Sequence, residues 1–446
     1  MATSGTRLLS SLLLFMGSLP SASITVNGES HPEQPVDVDV VVVGGGFSGL
    51  MSAYDLHQSG LTTVVLEAKE TIGGRSRTHQ LKSGPGLVEL GATWINNMTQ
   101  PAIFALSEDL GLETSEQYTE GDEISQGLDG KVQRVSPGDQ PNGTVEEMAA
   151  LKLVESLYGL IEEASNKTDL YNMDQFPSNE DVSLAEWVEQ KGLWKCGLGD
   201  LSSEGKMGAQ SLKIKKGTTA ISTGLADALP PANVLVKHPV GAITQDCNNT
   251  VLVTAATGQT FRAKRVIIAI PSHMYAGIKF SPPLPRKQNT LVSHIKGGVY
   301  AKMILSYTEP WWRNAGLIGK FSSLVGPVCL SWDTSDPELS QYSLAIFVAG
   351  DIADRWHGLC ESRRKKAIVE HLAVLVGEEL ADRARDTVEV NYAEWTNEEY
   401  ILGAPTGTMG PGVLRKYGTA LREPFRSLHF GEGIYGGSHP GRSESG

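Results

Sequence analysis

The stretch of sequence that most limits the fold lies close to the N-terminus. Residues 38–43 read VDVVVV and lead directly into a G-x-G-x-x-G motif at residues 44–49. A β-branched run of this length predicts a buried parallel strand, and a helical pattern follows over residues 48–59. A second strand is predicted from Thr63 to Leu66 and ends at Glu67. This order indicates a βαβ unit of about 30 residues.

Each glycine of the motif has a physical task in such a unit. Gly44 permits the tight turn, Gly46 lets the backbone approach a pyrophosphate, and Gly49 lets the helix pack on the strand. A phosphate then meets the free N–H groups and positive dipole end of the helix that begins near Ser48. Glu67 lies 18 residues after Gly49, where its carboxylate can accept both hydroxyls of an adenosine ribose. An ordinary glycine turn is the alternative, but the position of the acid favours a dinucleotide site.

Composition limits the class of protein. With 446 residues, the chain is long enough for two domains, or for one domain with a large insertion. A net charge of −13 without a basic stripe speaks against nucleic acid as a partner. The sequence has no P-loop, no G-x-S-x-G elbow and no His/Cys cluster with metal-ligand spacing, so we expect no metal site. Four widely spaced cysteines are compatible with disulfides and with free thiols: Cys196, Cys247, Cys329 and Cys360.

The N-terminus resembles a secretory signal peptide. Arg7 precedes an apolar stretch over residues 8–19, and small residues at 21–23 provide a cleavage site. The apolar stretch is too short to span a bilayer, so no stable membrane span is expected. Four N-x-T sequons fit passage through the secretory pathway to the extracellular space: Asn97, Asn142, Asn166 and Asn248. Asn97 lies next to a motif expected to be buried, so glycosylation is not expected there.

The residues after Glu67 favour a flavin over a nicotinamide dinucleotide. In GGRSRT, Gly73 and Gly74 bring the backbone close to the second half of the dinucleotide, and Arg75 can reach its phosphate. In ELGATW, residues 89–94, small residues form a turn that can lie against a flat ring. The order of βαβ unit, Glu, GGR and ELGATW closely resembles the flavin amine oxidase family, which includes monoamine oxidases, polyamine oxidases and L-amino-acid oxidases. An NAD(P)-dependent dehydrogenase fits only the glycine motif.

The resemblance continues, with gaps, to about residue 430. It implies a backbone contact from Val240 to the adenine, a water held by Lys302 near flavin N5, and packing of Trp395 against the flavin. Lys302 as a strand-edge residue and Trp395 as ordinary core are the alternatives. Asp333 and Asp336 in SWDTSDPE are interpreted as a solvated loop. The motifs and the resemblance together assign these residues to cofactor binding: Gly44, Gly46, Phe47, Ser48, Gly49, Glu67, Ala68, Gly74, Arg75, Gly91, Ala92, Thr93 and Val240.

The sequence also departs from the family pattern. Covalent members carry a flavin-linked cysteine where this chain has Ala404, so FAD is expected to be held non-covalently. Pro405 stands where many monoamine oxidases have an aromatic cage wall that orients the amine. Only residues 194–207 stand where the family has a long helical piece of the substrate domain. The family's C-terminal glycine-containing helix has no counterpart after residue 430, which makes a truncated, inactive member an alternative.

We therefore expect an α/β flavoprotein with a discontinuous, doubly wound, Rossmann-like FAD-binding domain and an inserted α+β substrate domain. The predicted ranges are 1–23 for the signal peptide, 36–100, 210–290 and 389–446 for the FAD-binding domain, and 101–209 and 291–388 for the substrate domain.

The resemblance implies oxidation of a small primary or secondary amine to an imine, which water hydrolyses to an aldehyde and ammonia. O2 would be the acceptor and hydrogen peroxide the second product. An L-amino-acid oxidase, a polyamine oxidase and a tailoring oxidase of specialised metabolites remain alternatives. The oligomeric state is open, a homodimer included.

Overall fold

The computed structural model describes residues 34–137, 139, 156, 159–160, 163–164, 176–183, 186–187 and 210–431. Several predictions fall outside these residues: the signal peptide, the sequons at Asn142 and Asn166, Cys196, the segment 194–207 and the C-terminal residues 432–446.

The strands, in chain order, are β1 (Val36–Val43), β2 (Thr63–Leu66), β3 (Thr78–Gln80), β4 (Leu87–Glu89), β5 (Trp94–Ile95), β6 (Thr114–Glu116), β7 (Asp122–Gln126), β8 (Val132–Val135), β9 (Leu212–Ile214), β10 (Val234–Leu235), β11 (Val240–Gln245), β12 (Val251–Ala255), β13 (Thr260–Ile268), β14 (Lys279–Ser281), β15 (Ile295–Gly297), β16 (Tyr300–Tyr307), β17 (Leu317–Ser323), β18 (Leu330–Asp333), β19 (Tyr342–Ala349), β20 (Glu389–Ala393), β21 (Gly407–Met409) and β22 (Leu428–Phe430).

The α-helices whose bounds are defined are α1 (Phe47–Gln58), α2 (Pro101–Asp109), α3 (Thr219–Asp227), α4 (Arg286–His294), α5 (Trp311–Asn314), α6 (Gly350–His357), α7 (Glu361–Val376), α8 (Glu378–Arg385) and α9 (Val413–Tyr417).

An eight-stranded sheet contains the predicted βαβ unit. Its order is β10-β2-β1-β13-β12-β11-β14, and β22 also pairs with β13. The pairs β10–β2, β2–β1, β1–β13, β13–β22 and β11–β14 are parallel, whereas β13–β12 and β12–β11 are antiparallel. The segments that form this sheet are far apart in the sequence, as a discontinuous Rossmann-like domain requires. Both predicted strands of the unit are confirmed, and the helix begins one residue earlier than expected, at Phe47.

The run of valines in β1 is buried because both faces of the sheet are covered. Val41 and Val43 pack in one hydrophobic cluster, with Phe261 of β13. Val40 and Val42 point to the opposite face and pack with Leu50 of α1. Alternation along a strand sends successive side chains to opposite faces, so a continuous apolar run marks a strand that is buried on both.

A seven-stranded sheet forms the second large element, in the order β20-β16-β19-β18-β17-β7-β8. Its pairs are antiparallel except for β17 with β7. Trp311 and Trp312 pack in the hydrophobic cluster on this sheet. Strand β20 pairs with β16 in this sheet, although residue 389 was placed at the start of an FAD-binding segment. The domain limits otherwise stay a prediction.

One alternative considered for this sheet is excluded, and one expectation is wrong. Lys302 is not at a sheet edge, because β16 lies between β20 and β19. Asp333 is not in a solvated loop: it ends β18 with only 1% of its surface exposed. Its carboxylate accepts hydrogen bonds from Trp312 Nε1 at 2.7 Å and from Arg313 Nε at 2.5 Å. Asp336 does lie in a turn and accepts a hydrogen bond from the backbone N–H of Glu338.

The structure also bears on the predictions about the cysteines, the sequons and a membrane span. Cys247, Cys329 and Cys360 are free thiols. Asn97 and Asn248 are both exposed, and the absence of sugar from Asn97 stays a prediction. In the part of the chain that the structure describes, no helix combines the length and apolar character needed to cross a bilayer.

Candidate cofactor and amine site

A cavity of about 320 Å³ lies at the carboxyl ends of β1 and β2. It is the place where a doubly wound sheet usually binds its ligand. Most of the residues assigned to the cofactor from the sequence line it: Gly44, Gly46, Phe47, Ser48, Glu67, Ala68, Gly74, Arg75, Ala92 and Val240. These residues come from five separate segments of the chain, and the fold brings them together around one volume.

The glycine turn has the geometry that its spacing predicts. Gly44 has a φ of +106°, and a Cβ there would lie 2.8 Å from the carbonyl oxygen of Ala269. A Cβ on Gly49 would lie 2.0 Å from the carbonyl oxygen of Gly44, so only glycine allows the helix to pack this closely. At Gly46, by contrast, the nearest atom to a Cβ would be Gly74 Cα at 4.0 Å. The surface of Gly46 is therefore open to the cavity.

No side chain caps the N-terminus of α1, whose N-cap residue is Gly46. The first N–H groups of a helix need partners, and a helix N-terminus favours negative charge. Ser48 Oγ does not cap this end, because it donates a hydrogen bond to the carbonyl oxygen of Gly431. This helix end therefore offers an anion site of the kind a pyrophosphate occupies.

Glu67 is fixed in place at the end of β2. One of its carboxylate oxygens accepts a hydrogen bond from Gly45 N at 2.6 Å, and the other accepts from Lys69 N at 2.8 Å. Only 7% of Glu67 is exposed. Burial raises the pKa of this carboxyl, and the hydrogen bonds from Lys69 and Gly45 oppose that rise. A buried carboxylate with lone pairs to spare is suited to accept hydroxyl groups from a ligand.

The GGR segment lies against the glycine turn. Gly73 N donates a hydrogen bond to the carbonyl oxygen of Gly45 at 2.8 Å. Gly73 and Gly74 both have positive φ angles, 112° and 60°. Arg75 lines the cavity and donates a hydrogen bond to the carbonyl oxygen of Pro405. The two glycine-rich turns thus form one continuous backbone surface along the cavity.

One side of the cavity was not predicted from the sequence. Tyr400 and Ile401 line it, in a segment of residues 398–403 that we call the rim segment. Glu398 forms ion pairs with Lys69 and with Arg77, at 2.5 Å for the latter. The carbonyl oxygen of Ile401 is hydrogen-bonded to His273 Nε2 at 2.6 Å. These contacts join positions more than 120 residues apart, and no local sequence pattern could reveal them.

Lys302 lies in the interior of the seven-stranded sheet with 1% of its surface exposed. Its ammonium donates hydrogen bonds to the carbonyl oxygen of Gly91, at 2.9 Å, and to Thr93 Oγ1. Burial lowers the pKa of Lys302 to about 7, and the carboxylate of Glu89 opposes this decrease. Gly91 and Thr93 do not line the cavity. Both of them instead accept hydrogen bonds from the Lys302 ammonium.

Aromatic rings surround the ammonium of Lys302. Its Nζ atom lies 5.6 Å from the centre of the Trp94 ring and 5.4 Å from that of Phe347. Trp332 packs edge-on to Trp94, and Tyr300 stacks on Phe347 with ring centres 6.0 Å apart. Such surroundings have a low dielectric constant and favour neutral forms of amines. The sequence predicted only Lys302 and the ELGATW turn here.

Trp395 lies outside the cavity, in the hydrophobic cluster of Leu90, Ile401 and Ala404. Its indole N–H donates a hydrogen bond to the carbonyl oxygen of Leu90 at 2.8 Å, and the guanidinium of Arg77 lies over its ring at 4.8 Å. Trp395 therefore anchors the start of the ELGATW turn. Its predicted contact with the flavin stays a prediction.

Comparison with known proteins decides the family. The sequence profile described as "Flavin containing amine oxidoreductase" matches residues 47–193 and 195–446. The chain belongs to the flavin-containing amine oxidoreductases. It is 30% identical over 434 residues to the flavin-containing amine oxidase B of Sus scrofa, covering 88% of this chain and 80% of that protein. It is 28% identical to a probable flavin-containing monoamine oxidase A of Dictyostelium discoideum, with 88% and 91% covered.

Solved structures of this family share the fold. Putrescine oxidase, solved with bound putrescine, has a TM-score of 0.79 at 25% identity and covers 90% of this chain and 94% of its own. Cyclohexylamine oxidase of Brevibacterium oxydans IH-35A has a TM-score of 0.78 at 26% identity, with 89% and 93% covered. The predicted resemblance, the α/β flavoprotein fold and the amine oxidoreductase activity are thereby confirmed.

Family membership implies a flavin, FAD, as the cofactor, and the cavity fits one. The uncapped end of α1 and the open surface of Gly46 suit a pyrophosphate. Glu67 is placed to accept ribose hydroxyls, and Val240 lines the cavity where the adenine contact was predicted. The described residues contain no group of three or more His, Cys, Asp or Glu side chains that could hold a metal ion.

Ala404 is the residue predicted to stand where covalent family members have a cysteine. It is 4% exposed and packs with Trp395 and Ile401. Pro405 follows it, and the carbonyl oxygen of Pro405 accepts the hydrogen bond from Arg75. Neither side chain offers a nucleophile for a bond to a flavin.

Proposed function

We propose that this amine oxidoreductase holds FAD without a covalent bond and oxidises a hydrophobic primary or secondary amine, with O2 as the electron acceptor. The observation that carries the proposal is the position of Lys302, buried among aromatic rings and bonded to the turn that follows Glu89. When bound, FAD supplies the oxidant that takes hydride equivalents from the carbon next to the amine nitrogen.

The chain itself contributes binding, orientation and a dry environment. The α1 N-terminus and Arg75 would hold the pyrophosphate of FAD, and Glu67 would hold its ribose. Lys302 uses two of its three N–H groups for Gly91 and Thr93, which leaves the third to hold a water or a ligand atom. The rings of Trp94, Phe347 and Tyr300 exclude water and favour the neutral amine, whose lone pair the oxidation requires.

The charges near the aromatic rings favour an amine without a carboxylate. Arg313 is paired with the buried Asp333 and lies over the Tyr118 ring at 4.0 Å. Arg77 is paired with Glu398. An L-amino acid needs an arginine that is free to bind its carboxylate, whereas both of these guanidiniums already have a carboxylate partner. Among relatives, the names "Putrescine oxidase" of Kocuria rosea and "L-amino acid dehydrogenase" of Synechocystis show the other substrate classes to be tested.

A substrate panel tests this proposal. Purified protein is mixed with benzylamine, phenylethylamine, hexylamine, putrescine or L-leucine, and both O2 consumption and hydrogen peroxide formation are followed. We expect the aromatic and alkyl monoamines to have the highest kcat/KM and peroxide to equal the O2 consumed. A preference for putrescine or L-leucine would contradict the proposed class, and turnover only with an artificial acceptor would contradict O2.

We propose in addition that the chain enters the secretory pathway and carries N-linked sugar. The support is the N-terminal apolar stretch with its sequons, together with the exposure of Asn97 and Asn248. Expression of the full-length gene in a secreting eukaryotic cell should release a protein whose mass falls on treatment with a peptide N-glycosidase. An unprocessed N-terminus on a cell-retained protein without sugar would contradict this.

A further inference from the structure

The hydrogen bonds of Lys302 provide no negative charge to balance its buried ammonium. The side chain is 1% exposed, and a buried ammonium is costly unless a negative charge lies close by. Its two hydrogen-bond partners, the carbonyl oxygen of Gly91 and the hydroxyl of Thr93, are both neutral. The counter-charge must therefore come from a residue that does not bond to the ammonium directly.

Glu89 is fixed at the start of the same turn. Its carboxylate accepts hydrogen bonds from Thr218 N at 2.7 Å, from Thr218 Oγ1 at 3.0 Å and from Thr78 Oγ1 at 2.9 Å. The backbone of Gly217 makes room for it, since a Cβ there would lie 2.7 Å from Glu89 Oε1. Three donors from two separate segments hold this carboxylate in one position, two residues before the Gly91 carbonyl that Lys302 contacts.

The other groups around Lys302 carry no opposing charge. In the sheet, its neighbours are Phe347 on β19 and Ala393 on β20. The ELGATW turn presents Thr93 and the ring of Trp94. Tyr300, on the same strand, stays neutral because burial raises its pKa far above the physiological range. Glu89 is joined to the turn that Lys302 contacts through Thr218, whose hydroxyl oxygen lies 3.0 Å from the Glu89 carboxylate and 3.0 Å from the carbonyl oxygen of Ala92. Its negative charge opposes the lowering of the Lys302 pKa by burial.

We propose that Glu89 is a positioning residue of the amine site, whose negative charge keeps Lys302 protonated in the working enzyme. A protonated lysine has three N–H donors and a neutral one has two, so loss of the proton leaves no donor beyond the two that Gly91 and Thr93 engage. Burial raises the pKa of Glu89 and lowers that of Lys302, and each group opposes the effect on the other. The charge state of each side chain therefore depends on that of the other.

The titration of Lys302 tests this directly. The full chain is labelled with 13Cε-lysine, and the Lys302 signal is assigned by its absence in Lys302→Met. In Glu89→Gln, which keeps the shape but not the charge, the midpoint of Lys302 should fall by at least about one pH unit, as expected when an opposite charge is removed from a buried site. Glu123→Gln is the matched control, since it removes a carboxylate of the same sheet that pairs with Lys320.

An unchanged Lys302 midpoint in Glu89→Gln would overturn the proposal and leave Glu89 only as an acceptor for Thr218. If that variant does not fold, the reciprocal measurement decides: with 13Cδ-glutamate, Lys302→Met should raise the midpoint of Glu89. No change there would overturn the proposal equally. The role in catalysis rests on the proposed function, but these titrations need no substrate, so the two can fail separately.

Discussion

Gly46 and Gly49 lie three residues apart in one turn, yet a methyl group added at each would meet different surroundings. At Gly49 the methyl would overlap with the backbone of Gly44, and at Gly46 it would extend into the cavity. The first glycine of the pair therefore serves the ligand and the second serves the fold. A matched pair of substitutions separates these two roles at the scale of single residues.

Gly49→Ala should lower the free energy of unfolding of the apoprotein by about 1–3 kcal/mol, because the helix must shift away from the strand. Gly46→Ala should leave the apoprotein's Tm nearly unchanged, since its φ of −78° suits alanine, but should raise the Kd for FAD at least about tenfold. Thermal unfolding and FAD titration measure both. Equal effects of the two substitutions on both quantities would contradict this division.

Replacing Glu67 should change the stability of the apoprotein and the affinity for FAD in opposite directions. Its folded pKa is raised by burial, so the stability it contributes is present below its unfolded pKa and is lost as the pH rises through the folded value. At pH 7, Glu67→Gln should therefore raise the Tm of the apoprotein while weakening FAD binding. A lower Tm at pH 7 would mean that the hydrogen bonds from Gly45 and Lys69 outweigh the cost of burial.

Local chemistry decides which site residues the sequence could predict. Gly44, Gly46 and Glu67 were found because a strand, a tight turn and a helix follow one another directly, and each requires a particular residue type. Asp333 was placed in a loop because the side chains that donate hydrogen bonds to it, Trp312 and Arg313, lie earlier in the chain, in helix α5. The residues next to Asp333 give no sign of these partners. Its SWDTSDPE context, with turn-forming residues on both sides, matches a loop as well as a strand end.

At the scale of elements, the rim segment is the part of the cavity most dependent on distant contacts. Tyr400 and Leu402 have positive φ angles of 64° and 49°, which side chains other than glycine adopt at a cost. The contacts of Glu398 and Ile401, together with a hydrogen bond from Gly403 N to the carbonyl oxygen of Trp395, hold the segment in this conformation. With Ala404 unable to link to a flavin, we expect the rim segment to slow cofactor release.

Glu398→Gln should increase the rate of FAD dissociation about three- to tenfold at pH 7, because it removes the charge that Lys69 and Arg77 bind. Fluorescence of released FAD measures the rate. Glu309→Gln, which removes an exposed pair with Arg383, is the control. Equal rates for both variants would contradict a role of the rim segment in retention.

The same ion pairs predict a pH dependence. Burial alone would raise the pKa of Glu398, but the hydrogen bonds from Arg77 and Lys69 outweigh it and lower the pKa below the ordinary 4.5. The stabilisation is therefore present above pH 4.5 and is lost as the pH falls through the folded pKa. FAD release from the native protein should accelerate in this acidic range, and less so in Glu398→Gln. The same acceleration in both would assign it to other groups.

At the scale of the whole molecule, the two large sheets are assembled from interleaved segments. The eight-stranded sheet takes strands from residues 36–66, 234–281 and 428–430, and the seven-stranded sheet takes strands from 122–135 and 300–393. The strands themselves could be predicted from β-branched runs. Their order could not, because register and pairing across hundreds of residues depend on packing rather than on local pattern. The family resemblance predicted only the division of the chain into interleaved domain segments and gave no strand order.

The central claim is that this chain binds FAD non-covalently at the β1–α1 turn and uses it to oxidise an amine beside Lys302. The most direct test is the visible absorbance spectrum of the purified protein, recorded before and after denaturation and during anaerobic addition of benzylamine. We predict flavin bands that bleach with the amine and move entirely into the protein-free fraction on denaturation. A flavin that stays with the denatured chain, or a colourless protein that FAD does not reconstitute, would contradict the account.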